Sequence, residues 1–264
     1  PKAVSAAHHV MLGHGLAVPI IRANAPGAEV GITLNLVPNE PASESAADME
    51  ACRRFDGFFN RWYLDPVFGR GYPQDRIEDL VNAGQIPSAE LPFLQPNDLD
   101  IIAVDTDFLG INYYSRAVIR CEETAENLPV EVSATDTVTD MGWEVWPLGL
   151  EHLLLRLHRE YAPPAIQVTE NGAAYPTECN EEGQVLDTER VDYFAGHIRA
   201  AGQALEAGVP LTAYYAWSLL DNFEWAFGYE KRFGLVHVDY ETQKRTPKQS
   251  ALWYRDTIQR NGRS

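Results

Sequence analysis

Residues 164–172 read Pro-Ala-Ile-Gln-Val-Thr-Glu-Asn-Gly. A short apolar run, opened by proline and closed by Asn171-Gly172, has the length of a buried strand rather than a helix. It delivers a lone carboxylate, Glu170, to the point where the strand stops. Three other segments have the same form: residues 30–36 (VGITLNL), 107–113 (DFLGINY) and 211–217 (LTAYYAW). None alternates cleanly between polar and apolar, as expected of parallel strands covered on both faces.

Helical patterns lie between these strands. Residues 4–22 are small and apolar throughout, with Pro19 marking a kink or an early end. Residues 45–64 open on Ser45-x-x-Asp48, the spacing of a capping box, and carry Phe55, Phe58, Phe59 and Trp62 at helical intervals. Leu150, Leu153, Leu154 and Leu157 share one side of a helix over 147–161. Val191, Phe194, Ile198 and Leu205 do the same over 188–207, which Gly208 stops. A last helix covers 247–260, with Pro247 in its first turn. The intervening 233–247 (FGLVHVDYETQKRTP) is expected to form a hairpin. Residues 120–140 are polar and aperiodic, so a surface loop is expected there. No internal repeat is present.

A helix followed by four strand–helix units argues for an α/β fold with right-handed crossovers. A dinucleotide-binding fold would need a glycine-rich turn after its first strand, but Leu36 is followed by Val-Pro-Asn-Glu-Pro. Four units in 264 residues leave 66 residues each, against roughly 31 in a plain (β/α)8 TIM barrel. The surplus implies large loops after the strands, where barrels build their sites. The expected fold is therefore the second half (strands 5–8) of a TIM barrel, preceded by the helix that follows strand 4. Residues 1–264 are expected to belong to that single barrel domain, with no separate second domain.

Composition narrows the function. The chain is 45% hydrophobic and 22% charged, which is globular rather than disordered. A net charge of −17 disfavours nucleic acid and anionic membrane surfaces as partners. Cys52, Cys121 and Cys179 are far apart and form no C-x-x-C pair, which suits free thiols in a reducing, cytoplasmic setting. No run of 18 apolar residues occurs, so no membrane span is expected. The opening PKAVSAAHHV resembles neither a signal peptide nor a natural start, suggesting a chain cut from something longer.

In this frame Glu170 ends the third strand, Asn112, Tyr113 and Tyr114 end the second, and Trp217 ends the fourth, ahead of Ser218-Leu-Leu-Asp-Asn-Phe-Glu-Trp225. Carboxylates and amides bind hydroxyls in pairs, and indole faces stack on the C–H face of a pyranose. A tyrosine hydroxyl beside a carboxylate can hold it ionised and oriented. Plainer explanations compete. A strand-end glutamate is as often a solvent-facing loop residue, Trp253 suits the core, and Asp221 and Asn222 suit a turn. Glu224, between Phe223 and Trp225, is harder to dismiss, because burying it unpaired is costly. His8, His9 and His14 suggest a metal, but adjacent helical residues point about 100° apart and no H-E-x-x-H occurs. Packing and capping is the preferred role for them.

The motifs VTENG, GINYYS, WSLLDNFEWAFGYEKRFGLVHVDY and RTPKQSALWY resemble the C-terminal half of a family 1 glycoside hydrolase, the β-glucosidase family. AAHHVMLGHGLAV and CRRFDGFFNRWYLDPVFGRGYP fit the same family, so the resemblance covers nearly the whole chain. It implies a retaining β-glycosidase acting on terminal β-D-glucosyl residues, without metal or organic cofactor. Glu170 matches the nucleophile. Tyr114, or less well by spacing Tyr113, matches the tyrosine that orients it. Asn112, Trp217, Glu224, Trp225 and Phe233 match residues of the sugar subsite. The intact Glu224-Trp225 pair implies an unphosphorylated sugar. The family's acid/base glutamate, in a T-x-N-E-P motif ending strand 4, has no counterpart here, and neither do its early Gln, His-Trp pair and Arg. Asn39-Glu40-Pro41 looks like part of that motif but follows the expected strand 5, in a proline-flanked loop. The implied partners are a β-glucoside and the N-terminal half of the barrel, with no nucleic acid and no membrane. The alternative is a non-catalytic carbohydrate-binding or interaction fragment.

Overall fold

A computed structural model describes residues 2–122, 129–133 and 135–260. Backbone contacts divide the chain into two units. The first comprises Pro1–Gly110, Ala117–Val132 and Pro163–Ala165; the second comprises Ile111–Arg116, Ser133–Ala162 and Ile166–Ser264.

The first unit begins with α1 (Lys2–Asn24), β1 (Gly31–Asn35), β2 (Asn39–Pro41) and α2 (Ala46–Asp56). One π-helical turn (Gly57–Arg61) leads into α3 (Trp62–Val67), followed by α4 (Gln74–Asn82) and α5 (Asp98–Ile102). β3 (Phe108–Asn112) begins in this unit and ends in the second, while β4 (Ala117–Cys121) and β5 (Pro129–Glu131) complete the first. β1 neighbours β3, and β2, β4 and β5 form a separate three-stranded sheet.

α1 continues past Pro19 to Asn24, so the proline does not end it. The helix is fixed by His8, which is fully buried. Its Nδ1 lies 2.9 Å from the Tyr72 hydroxyl and its Nε2 lies 3.0 Å from Asp98 Oδ2. That is the packing role expected for the histidine rather than a metal site. Gly15 lies so close to α5 that a Cβ there would stand 2.0 Å from the Ile101 carbonyl oxygen. By length and composition alone α1 is apolar enough to cross a membrane, a test that the core helix of a folded domain also passes. In the fold its buried face (His8, Met11, Gly15, Val18) packs against the protein, and Val10, Leu16, Ile20 and Ile21 face outward.

Four expectations change here. The helix anticipated over 45–64 is broken into α2, the π turn and α3. Only half of the capping box forms: Ser45 Oγ accepts from the Asp48 N–H at 3.1 Å. The Asp48 carboxylate accepts instead from the Ser43 hydroxyl (2.6 Å) and the Cys121 N–H (2.8 Å), tying α2 to β4. Residues 39–41, read as loop, are β2, pairing in parallel with β4. The surface loop expected over 120–140 contains the end of β4 and all of β5, paired antiparallel; residues 123–128 and 134 lie outside the described residues.

The second unit holds the end of β3, α6 (Pro147–Tyr161), β6 (Ile166–Asn171), α7 (Thr188–Glu206) and β7 (Leu211–Ala216). A 3-10 turn (Trp225–Phe227), the hairpin β8 (Val236–Val238) and β9 (Arg245–Pro247), and α8 (Gln249–Gln259) follow. β6 and β7 pair in parallel with Ile166 opposite Leu211 and Asn171 opposite Ala216. β3, β6 and β7 are neighbours in that order, and β6 is the sole strand neighbour of β7 in the sheet among the described residues. The four leucines of α6 are buried as its periodicity required. Tyr193 and Phe194 of α7 pack with Ala173 and Leu235, and Trp253 closes on that cluster as a core residue.

His197, on α7, is stacked on Tyr193 at 3.9 Å with Tyr113 at 5.7 Å. Its Nδ1 bonds the Tyr193 carbonyl at 2.7 Å and its Nε2 is buried without a partner. Burial pulls its pKa from 6.5 down to about 4. The unfolded chain therefore binds the extra proton between those values, so stability falls as pH drops from 6.5 towards 4. At ~1.4 kcal/mol per pKa unit this amounts to about 3 kcal/mol. Urea unfolding at pH 7 and pH 4 is expected to show that much less acid sensitivity in His197→Phe than in the wild type.

Candidate active site

The carboxyl ends of three parallel strands bring the principal groups together within the second unit. The Tyr113 N–H donates to the Glu170 carbonyl at 2.9 Å, and the Trp217 N–H donates to the Asn171 carbonyl at 2.8 Å. These two backbone bonds place Tyr114, Glu170 and Trp217 side by side, just where the strands stop.

Tyr114, not Tyr113, reaches Glu170: its hydroxyl donates to Glu170 Oε2. Tyr113 is fully buried and donates to the Trp146 carbonyl at 2.5 Å. Burial first, then the hydrogen bond to Glu170 and the charges of Glu170 and Glu224, hold the Tyr114 phenol well above its usual range. It therefore stays protonated and remains a donor. Asn112 is fixed by the Thr169 hydroxyl, which donates to its Oδ1 at 2.8 Å and to the Ile111 carbonyl at 3.0 Å. Phe233 is buried, with its ring 6.1 Å from that of Tyr114. Glu224 is half-buried, and burial together with the Glu170 charge raises its carboxyl pKa.

Trp225 is 84% exposed, at φ 42°. The turn that carries it is closed by the Glu224 N–H donating to the Gly228 carbonyl (2.6 Å) and the Phe227 N–H to the Glu224 carbonyl (2.8 Å).

A layer beneath holds these groups in place. Asn171, fully buried, donates from Nδ2 to the Tyr113 carbonyl (2.8 Å) and the Tyr193 hydroxyl (3.0 Å), while the Tyr214 hydroxyl donates to its Oδ1. Tyr193 in turn donates to the Tyr114 carbonyl at 3.0 Å. Asp221, which the sequence marked as a turn residue, is buried and anchors the loop after β7. It accepts from Arg232 (2.7 Å), Lys248 (2.8 Å) and the Gly234 N–H (2.9 Å). Burial brings the Lys248 ammonium down to about 8 against the pull of Asp221. Trp143, which the sequence analysis did not single out, places its ring 5.4 Å from Tyr114 and 6.1 Å from Phe233. Its loop lacks periodicity, and only the fold brings it here.

An oriented carboxylate of this kind can attack an electrophilic carbon or accept hydroxyl donors. The second carboxylate and the aromatic rings suit a polyol with an apolar face. Among the described residues no three His, Cys, Asp or Glu side chains converge as a metal centre.

Barrel enzymes build their sites at the carboxyl ends of their parallel strands, and the comparisons relate the chain to that fold. The sequence profile of glycosyl hydrolase family 1 matches residues 1–263, and the chain belongs to that family. It is 41% identical over 261 residues to β-glucosidase A of Acetivibrio thermocellus, covering 97% of this chain and 56% of that protein. The crystal structure of the AHE enzyme from Alicyclobacillus herbarius superposes with a TM-score of 0.90 at 41% identity, over 96% of this chain and 56% of that one. The β-glucosidase of Thermotoga maritima in complex with deoxynojirimycin superposes at 0.88 and 38% identity, over 98% and 57%. The chain thus spans a little over half the length of these relatives, and its α/β fold matches part of their barrel.

Two measurements test the geometry. Gly172 approaches β7 so closely that a Cβ would lie 1.9 Å from the Trp217 carbonyl oxygen. Gly172→Ala is therefore expected to lower the unfolding free energy by about 1–3 kcal/mol, the cost of forcing backbone apart. Neutralising Glu170 with Glu170→Gln is expected to move the Glu224 carboxyl pKa downward, since a nearby like charge disfavours ionisation. Carbon-13 titration of the glutamate side chains reads this, and an unmoved Glu224 would show that the two groups are not coupled.

Proposed function

We propose that this chain is the strand 5–8 half of a single family 1 barrel domain and carries the nucleophile of a retaining β-glycosidase. Its substrates are terminal β-D-glucosyl residues. The observation that carries the reading is the Tyr114 hydrogen bond to Glu170 at adjoining strand ends. Glu170 attacks the anomeric carbon as the aglycone oxygen leaves with a proton, and a covalent glycosyl-enzyme forms; water then releases the sugar. Tyr114 fixes the attacking oxygens. Asn112, Glu224 and Trp225 take up ring hydroxyls, Trp217 supplies an apolar platform, and Phe233 packs behind Tyr114.

A retaining mechanism needs a second carboxyl about 5–5.5 Å from the first. We assign it to the N-terminal half of the barrel, which also covers surface left bare here. Tyr215, Leu219, Phe223, Phe227 and Tyr229 are all exposed, an apolar run that calls for a partner. Glu40 is assigned no acid/base role, because it lies within β2. The three free cysteines favour a reducing, cytoplasmic setting. The Thermotoga maritima β-glucosidase in complex with deoxynojirimycin, to which the chain is similar, supports a small-molecule ligand at this site.

The test is reconstitution. Mixing the chain with strands 1–4 of a family member is expected to hydrolyse an aryl β-glucoside, and Glu170→Gln to remove that activity by about 10³-fold or more. A 2-fluoro glucoside inhibitor should be trapped on Glu170 in the active mixture. Sugar affinity without turnover or labelling would instead establish a non-catalytic carbohydrate-binding fragment.

A further inference from the structure

The first unit holds a cavity of about 450 Å³ beside the start of α1. Val4 and Ala7 of α1, Phe58 of the π turn, Trp62 of α3 and Leu80 of α4 make its wall mostly apolar. Trp62 is 5% exposed and stacks on Tyr72 with ring centres 4.5 Å apart, so packing fixes that wall. A cavity of this size and lining suits a small ligand with an aromatic body.

Arg76, on α4, is the one charged residue lining it among the described residues. Its side chain is 16% exposed, and the carboxylates around it are committed to other arginines. Asp75 accepts from Arg61 at 2.7 and 2.9 Å, and from Arg53. Both oxygens of Asp79 take Arg53 Nη2 at 2.9 Å. Arg76 Nη1 is left 3.9 Å from Asp79 Oδ2, beyond hydrogen-bond length. Its Nε is buried without a hydrogen-bond partner, and its guanidinium carbon lies 5.7 Å from the centre of the Phe58 ring. Burial, and then the charges of Arg53 and Arg54, lower its pKa against the pull of Asp79, yet a guanidinium keeps its proton in proteins. A cation so weakly neutralised at an apolar wall is matched by a ligand anion. Nε is out of a ligand's reach, so a carboxylate would meet the terminal nitrogens, in the charge-assisted pairing that suits this fork. The chain is acidic overall, at −17, so the attraction is local.

We propose that this cavity binds a small aromatic carboxylate, its ring against Phe58 and Trp62 and its charge on Arg76. The inference does not depend on the glycosidase reading, since every residue it uses lies in the first unit.

Calorimetric titration of the full chain with trans-cinnamate, against uncharged cinnamamide, tests it. One equivalent of cinnamate is expected to bind, about tenfold or more tighter than cinnamamide, the scale of a hydrogen bond to a charged group. Arg76→Gln should bring cinnamate down to the affinity of cinnamamide and leave cinnamamide unchanged, the latter showing that the cavity is intact. Ala3→Phe, at an exposed lining position, should fill the space and abolish binding of both, with circular dichroism checking the fold. Absence of saturable binding, equal affinity for the two ligands, parallel loss of both in Arg76→Gln, or full binding in Ala3→Phe would overturn the site. Release of cinnamate when strands 1–4 of a family member are added would assign the cavity to polypeptide and overturn it too; cinnamate retained in the co-eluting complex would support it.

Discussion

The Asp221 carboxylate organises the end of the second unit. One oxygen receives the Lys248 ammonium and the Gly234 N–H; the other receives Arg232. Asp221 is 4% exposed and Lys248 is fully buried. Ions so far from water are tolerated only when each lone pair and proton is matched, and removing one partner costs about 3–5 kcal/mol. The loop after β7, the segment containing Phe233 and the start of α8 therefore form one ionic knot. Gly234 belongs to it sterically as well: a Cβ there would lie 2.1 Å from the Asp221 nitrogen.

The knot has a second half. Arg190, on α7, donates to Asp187 and to the carbonyls of Ala173 (3.1 Å) and Arg232 (2.7 Å). Asp187 also accepts from the N–H and hydroxyl of Ser250, at 2.8 and 2.6 Å. The segment after β6 and the segment after β7 are thus bound to the same two helices. Between them Asn171 locks β6 to β3 and β7 through amide and phenol contacts. Glu170 owes its orientation to this scaffold as much as to Tyr114: its neighbours in the chain, Thr169 and Asn171, are each committed to another strand.

The sequence was most readable where a property is local. All four principal strands and the 147–161 helix stand within a residue or two of their expected bounds, because apolar runs and leucine spacing report burial directly. The hairpin was readable for the same reason. β4 and β5 were not, since each is only three to five residues long and adjoins a polar, aperiodic stretch. The π turn that divides the 45–64 helix leaves hydrophobic spacing intact and so leaves no mark. At the site, Glu170, Asn112 and the Tyr113-Tyr114 pair could be found because they stand at strand ends; the choice of Tyr114 came only from the family resemblance. Asp221 could not: its partners lie 11 and 27 residues away, and locally Leu-Leu-Asp-Asn-Phe reads as a turn. Trp143 was hidden likewise, in a loop whose position only the fold determines.

The turn at Trp225–Phe227 separates two tasks within three residues. Main-chain bonds close it, so the backbone at Glu224 is set without help from the side chains that follow. Trp225, Ala226 and Phe227 are exposed, with the Lys231 ammonium 5.6 Å from the centre of the Phe227 ring. Selection can revise the chemistry displayed there while the acid beside Glu170, and the ionic knot beneath it, stay untouched.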